Sequence, residues 1–159
     1  MLKDDIYFMK QALREAQKSY EQDEVPVGCV VVIDNQIVAR AHNVRQKQHD
    51  VLGHAEIKAI QKATKQQRAW ILEEATLYVT LEPCLMCAGA ILQSRIKRVV
   101  YGAFEPKFGV LGSVMDVFQQ GSFNHQVQVT SGVLKEESAQ LLQQFFKEKR
   151  QKQKNKPLE

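Results

Sequence analysis

His54-Ala55-Glu56 and Pro83-Cys84-Leu85-Met86-Cys87 are the two short stretches around which the rest of this chain is organised. The two thiols of the second stretch are three residues apart, close to one helical turn, so both can face one metal ion. His54 can supply a third ligand, which leaves one tetrahedral position open for water. Catalytic zinc sites keep such a position, whereas structural sites are closed by four protein ligands. The two stretches therefore predict a catalytic zinc site.

Glu56 follows His54 by two residues and is predicted to carry protons instead of binding the metal. Water activated by zinc must lose a proton, and a carboxylate within hydrogen-bond reach can take it. A structural zinc site would need a fourth soft ligand. The other candidates are Cys29, His42, His49 and His125. None of these has ligand spacing to the others, and a structural site would leave Glu56 without a role, so the pattern favours a hydrolytic enzyme.

The composition is that of an ordinary folded chain. With 159 residues, of which 44% are hydrophobic and 25% charged, we expect one domain that needs no disulfides for its core. The three cysteines do not make a disulfide framework. No apolar run approaches the roughly 20 residues of a membrane helix, and the N-terminus lacks a secretory signal. These features predict a cytoplasmic protein without membrane contact.

The net charge of +4 is concentrated at the C-terminal end. From Lys147 onward there are six basic and two acidic residues, a surplus of four, so residues 1–146 are neutral. A basic segment suits a polyanion through phosphate contacts, although a solvated helix end would carry the same charge. We expect one folded domain over residues 1–150, followed by a basic tail, 151–159, that is predicted to be disordered.

The hydrophobic pattern predicts an α/β fold. Helices are expected at about 4–22, 54–65, 84–94 and 134–150, and strands at 29–33, 36–41, 75–80, 96–101 and 127–130. This order suggests a sheet covered by helices on both sides. His54 and Cys84 both fall at helix starts, where the helix dipole favours thiolate over thiol. Cys84 also follows a strand directly, at the sheet edge where α/β folds usually bind ligands.

The motifs H-x-E and P-C-x-x-C resemble those of the zinc nucleobase deaminases. Residues 80–103 (TLEPCLMCAGAILQSRIKRVVYGA) are more specifically similar to the bacterial tRNA adenosine deaminases of the TadA type. So are residues 25–28, 41–43 and 112–116, and the resemblance runs from about residue 5 to about residue 150. It implies a three-layer α/β/α cytidine-deaminase-like fold with a mixed five-stranded sheet. The folded domain would then be a zinc-dependent deaminase domain.

The same resemblance implies hydrolytic deamination of adenosine to inosine at the wobble position of a tRNA anticodon, by a homodimer. His54, Cys84 and Cys87 would hold one Zn²⁺ per chain, and Glu56 would be catalytic. The expected substrate contacts are Asn43, Ala55, Pro83, Glu105, Lys107 and Phe146. Asn43 also fits an ordinary turn residue. Glu105 departs from the family, which usually carries aspartate there, and the extra methylene changes the reach of the carboxylate.

Two other functions remain open. One is a deaminase of free cytosine, cytidine or guanine that shares the metal site. The basic tail and the match at 80–103 argue against it. The other is a zinc-stabilised RNA-binding module without catalysis, but binding alone would not need a proton carrier at Glu56. Basic side chains in the polar loop 42–53 are equally consistent with phosphate contacts and with solvated loop charges.

Overall fold

The computed structural model describes residues 2–157 and has, within them, four α-helices and one mixed sheet of five strands. The helices are α1 Asp5–Glu21, α2 Ala55–Gln67, α3 Leu85–Gln93 and α4 Lys135–Lys154. The strands are β1 Gly28–Ile33, β2 Gln36–His42, β3 Thr76–Leu81, β4 Arg98–Ala103 and β5 Gln128–Thr130. A 3₁₀ turn at Val117–Gln119 precedes β5. The predicted order of elements is therefore confirmed over this part of the chain.

The sheet has the strand order β2-β1-β3-β4-β5. Strand β1 is antiparallel to both β2 and β3, whereas β3, β4 and β5 are parallel to one another. The β1–β2 hairpin turns at Asp34 and Asn35, whose φ angles of 52° and 59° are those of a tight hairpin turn. Strand β4 begins two residues later than predicted. Ile96 does not open it because its N–H donates to the Ile91 carbonyl, at the end of α3.

Successive residues of β1 point to opposite faces of the sheet, and each face carries its own helices. Val30 and Val32 pack with Phe8 and Met9 of α1. The alternate side chains of β1 belong to the other core cluster, to which α2 and α3 contribute Ala59, Ala63, Ala88 and Ile91. Helix α4 packs against β4 on the α1 side, where Gly102 lies so close to Ser138 that a Cβ atom would overlap its hydroxyl. The predicted three-layer α/β/α fold is confirmed.

Helix α4 continues to Lys154, four residues beyond the end expected at Arg150. Among its residues Ser138 and Phe145 are fully buried, so most of the helix is in contact with solvent. The division into a domain of residues 1–150 and a tail of residues 151–159 stays a prediction, and residues 158–159 lie outside the described part. No helix within residues 2–157 is long and apolar enough to cross a membrane.

Candidate metal centre

Three predicted ligands meet at the carboxyl end of β3. His54 Nδ1 lies 3.6 Å from Cys84 Sγ and 3.6 Å from Cys87 Sγ. The three ligand atoms all lie within 4.8 Å of one another. Tetrahedral zinc, with Zn–N of about 2.05 Å and Zn–S of about 2.3 Å, would hold nitrogen and sulfur ligands about 3.6 Å apart. The spacing and the donor types therefore fit a zinc ion.

The backbone presents these ligands at two helix N-termini. His54 is the N-cap of α2 and Cys84 the N-cap of α3, both in extended conformation. Both side chains face the shared site, since His54 Nδ1 lies 3.6 Å from each of the two thiol sulfurs. The free N–H groups and the positive end of each helix dipole favour negative charge at this point. The predicted placement at helix starts is confirmed, because each motif directly precedes a helical run.

The two thiols are electrostatically coupled. The pKa of Cys84 falls to about 4, mainly because Cys87 hydrogen-bonds to it and secondarily because His54 does. The same hydrogen bond, together with burial, raises the pKa of the Cys87 thiol. The pKa of His54 is raised, mainly by its hydrogen bond to Cys84. One thiolate is thus easily formed and a second is opposed by the first, and a divalent cation would relieve that repulsion.

Glu56 lies in the first turn of α2 and is buried beside the ligands. Burial is the main cause that raises the pKa of its carboxyl, and the neighbouring Cys84 adds to it. A raised pKa favours the protonated form, so such a carboxyl group is able to hold a proton between accepting it and donating it. The site therefore combines three side chains that could hold a metal ion with one buried carboxyl group.

Asn43 is nearly buried, and its amide is engaged locally. Its Nδ2 donates to the Val25 carbonyl at 3.1 Å, and its Oδ1 accepts from the Arg45 N–H at 3.1 Å. Its own carbonyl accepts from Ser19 Oγ at 2.8 Å. These bonds match the turn interpretation, while contact with a substrate stays a prediction.

The other expected substrate residues are spread over several elements. Ala55 and Pro83 are buried next to His54 and Cys84. Glu105 is half-buried, and its Oε1 accepts from the N–H of the exposed Lys107 at 3.0 Å. Phe146 is 42% exposed on α4 and packs edge to face on Phe145 at a centroid distance of 5.4 Å. The structure thus gathers the ligands and Glu56, and leaves the role of these residues as a prediction.

Sequence reasoning missed two buried carboxylates that hold the flanking loops. Glu24 accepts the N–H groups of Gln46 at 3.1 Å and of Lys47 at 3.3 Å, both in loop 44–53. Glu82 accepts bonds from loop 104–116 in the same way. Each is only 2% exposed, unusual for glutamate. The sequence signal was faint: each acid stands one or two residues before a proline.

Comparison with known proteins agrees with this geometry. The MafB19-like deaminase family model matches residues 3–150. The chain is 51% identical over 154 residues to the tRNA-specific adenosine deaminase of Bacillus subtilis (strain 168), covering 97% of this chain and 95% of the relative. A solved structure from work on A-to-I editing by tRNA:A34 deaminases at the wobble position is 45% identical with a TM-score of 0.82, covering 86% of this chain and 99% of that one. A solved guanine deaminase from Bacillus subtilis is 30% identical with a TM-score of 0.62, covering 77% of this chain and 88% of that one.

Proposed function

This chain belongs to the family of tRNA-specific adenosine deaminases, and we propose that it converts adenosine to inosine at the wobble position of a tRNA anticodon. One observation carries the proposal: three metal-ligand atoms of the spacing that zinc requires lie beside a buried carboxyl group, within a chain that is 51% identical to a named relative. The reaction is hydrolytic. Water replaces the exocyclic amine of the purine, and ammonia leaves.

His54, Cys84 and Cys87 would hold one zinc ion per chain, and the one-nitrogen, two-sulfur donor set suits that metal. When bound, zinc supplies an activated water molecule at neutral pH. Three protein ligands leave room for that water. The positive ends of α2 and α3 favour the thiolate forms that binding requires.

Glu56 moves the protons in this proposal. Its carboxylate takes a proton from the attacking water and delivers it to a ring nitrogen of the purine. It then takes the proton of the hydroxyl group now on the carbon that bears the amine and passes it to that amine, which departs as ammonia. Burial supports this role because it stabilises the protonated carboxyl between the two transfers. Glu56 would thus end each turnover in the state in which it began.

The substrate would be held from several sides by Asn43, Ala55, Pro83, Glu105, Lys107 and Phe146. Ala55 and Pro83 directly adjoin His54 and Cys84 in the chain, which places both residues beside the proposed metal site. Glu105 and Lys107 lie on loop 104–116, and the exposed ring of Phe146 could stack on a base. The extra methylene of Glu105 would shift that contact relative to an aspartate.

We also propose a homodimer in the cytoplasm. Exposed apolar side chains support a protein contact near the site, since Leu85 on α3 is 60% exposed and Phe108 on loop 104–116 is 69% exposed. A Cβ atom added at Gly89 of α3 would meet nothing within 4 Å, so nothing among residues 2–157 requires glycine there. The close approach of a second copy would require it. Free thiols fit a reducing compartment.

The alternative function is deamination of a free base, and the similarity to a guanine deaminase structure favours testing it. Purified protein would be incubated separately with total bacterial tRNA, guanine, cytosine and cytidine. We expect sequencing of the tRNA to show adenosine-to-inosine conversion at the wobble position, with no ammonia released from the free compounds. Ammonia from a free base without inosine in tRNA would overturn the proposal in favour of the alternative.

A further inference from the structure

Glu82 lies between the end of β3 and the metal-ligand segment, and its carboxylate is saturated with hydrogen bonds. Oε1 accepts from the Glu105 N–H at 3.1 Å and from the Ser113 hydroxyl. Oε2 accepts from the N–H groups of Leu111 and Ser113, each at 3.0 Å. A carboxylate offers about four acceptor positions, so none is left for water or for a substrate. All four donors belong to loop 104–116.

The backbone around Glu82 strengthens the same connection. The Glu82 N–H donates to the Ala103 carbonyl at 2.9 Å, and the Val110 N–H donates to the Pro83 carbonyl at 3.1 Å. The turn that ends in Cys84 is therefore bonded to the loop through both main chain and side chain. Any shift of the loop would have to break several of these bonds together.

Gly109 shows how closely the loop approaches Glu82. A Cβ atom at this position would overlap the Glu82 carboxylate and come within 2.6 Å of the Glu105 carbonyl oxygen. Glycine is thus required by the close approach. The Glu82 carboxylate therefore packs directly against the Gly109 backbone, and a larger residue at 109 would disturb that contact.

Loop 104–116 has little regular structure of its own besides an isolated bridge between Leu111 and Asp116. A segment of this kind keeps one conformation only if its polar groups are bonded elsewhere. Glu82 supplies that bonding at three amides and one hydroxyl. The loop also carries Glu105 and Lys107, which the proposed function places against the RNA.

We propose that Glu82 is a positioning residue that holds loop 104–116 in the conformation that binds tRNA. It touches neither the substrate nor the metal in this role. The proposal rests on the proposed function, because it assigns RNA binding to the loop. It predicts that the loss of Glu82 weakens substrate binding more than it slows the chemical step.

The test compares Glu82→Gln with Glu15→Gln. Glutamine has nearly the shape of glutamate, but its amide NH₂ group replaces one carboxylate oxygen. That group would face N–H donors of the loop and could not accept their hydrogen bonds. Glu15 is a similarly buried carboxylate on α1, whose side chain pairs with Lys18, so it is a matched control. The measurements are zinc content, KM and kcat on a tRNA anticodon stem-loop, and amide hydrogen exchange by NMR.

For Glu82→Gln we expect full zinc content, a KM raised by about tenfold or more, and a kcat within about threefold of the parent. The amides of Leu111 and Ser113 should exchange faster, while those of Val99 and Val100 in β4 stay protected. Glu15→Gln should leave KM and the loop amides unchanged. Unchanged exchange rates of the loop amides would overturn the proposal. So would an unchanged KM with a kcat that is lowered only in proportion to the fraction of folded protein.

Two further variants act on the same contact from the loop. Ser113→Ala removes one donor and should raise KM by about two- to fivefold, and Gly109→Ala should act like Glu82→Gln. If Glu82→Gln does not fold, an unchanged KM in both of these variants would contradict the proposal.

Amide exchange needs no substrate. A parent protein without activity on tRNA would therefore contradict the proposed function, while the loop amides would still decide whether Glu82 holds the loop.

Discussion

Asp5 and Arg98 form a two-pronged ion pair that joins the first turn of α1 to the start of β4. Arg98 Nη1 donates to Asp5 Oδ1 at 2.9 Å and Arg98 Nη2 donates to Asp5 Oδ2 at 2.6 Å. The Tyr78 hydroxyl also donates to Asp5 Oδ1, at 2.7 Å. Paired guanidinium–carboxylate bonds fix orientation as well as distance. The pair thus fixes α1 against the sheet face opposite the metal centre.

The pair should make stability depend on pH. Arg98 holds the pKa of Asp5 below its usual value of 3.8, so the folded protein keeps this carboxylate charged when the unfolded chain has bound a proton. The stabilisation is therefore complete above about pH 5 and is lost as the pH falls below 3.8, through the lower folded-state pKa. Asp5→Asn should lower the free energy of unfolding by about 1 kcal/mol at pH 7.

Urea unfolding of the parent and of Asp5→Asn, from pH 7 down to pH 3, measures this effect. The difference between the two proteins should shrink toward the acid end of the range. A difference that stays constant with pH would show that the charge of Asp5 does not supply the stabilisation.

Removal of the Ser138 hydroxyl should not destabilise the protein. Ser138 Oγ is buried and has no hydrogen-bond partner within the described residues. Ser138→Ala should therefore be neutral or raise the free energy of unfolding by up to about 1 kcal/mol. Ser19→Ala is the control, since that buried hydroxyl donates to the Asn43 carbonyl at 2.8 Å, and its loss should cost about 1 kcal/mol. Thermal unfolding of the parent and of both variants measures these effects. A Ser138→Ala variant that is less stable than the parent would contradict the prediction.

Zinc binding should depend on Cys84 and not on Cys29. Cys84→Ala removes one of three ligands, so the purified variant should hold much less zinc than the parent. Cys29 is fully buried in β1, and burial raises its pKa well above the usual value, so Cys29→Ala should keep the metal. Elemental analysis of the three proteins measures this. Full zinc occupancy in Cys84→Ala would reject the ligand assignment.

The basic end of α4 should contribute to RNA affinity. Replacing Lys152, Lys154 and Lys156 by glutamine removes three charges from an exposed segment and leaves the core intact. If these residues bind phosphates, the salt dependence of tRNA binding should become shallower, by up to about one log unit of slope for each phosphate that is no longer neutralised. Replacing the same three lysines by arginine instead keeps the charge, so the salt dependence of this variant should equal that of the parent. Equal slopes for all three proteins would leave the charge asymmetry without a role in binding.

The grouping of His54, Cys84 and Cys87 could be predicted because these residues follow a strict spacing. Cys84 and Cys87 are one helical turn apart, and His54 precedes a helical run, so local geometry alone brings the ligand atoms to helix starts. The fold is predictable for a related reason, since alternating hydrophobic runs fix which segments are buried. These features depend on short-range patterns.

The supporting contacts could not be predicted because they depend on long-range pairing. Glu24 and Glu82 bond to backbone amides of distant loops, and any residue supplies such an amide. Helix α1 shows the same limit. Apolar side chains recur at helical spacing at Ile6, Met9, Leu13, Ala16 and Tyr20, which predicts that all five face the core. Ile6 is nevertheless 49% exposed, whereas Gln11 and Glu15 are buried. Gln11 accepts a hydrogen bond from Arg40 Nη1 of β2 at 3.1 Å, and Glu15 pairs with Lys18 on the same helix. A hydrophobic pattern does not record such polar partners, so it cannot predict that these two side chains are buried.

The central claim is that the three ligands hold zinc while Glu56 carries the protons, and one comparison tests it most directly. Zinc content and inosine formation in tRNA are measured on the same preparations of the parent and of Glu56→Ala. We predict one zinc ion per chain in both proteins, with wobble inosine formed by the parent and none by the variant, because the variant lacks the proton carrier but keeps all three ligands. Turnover by Glu56→Ala near the parent rate, or loss of its zinc, would contradict the account.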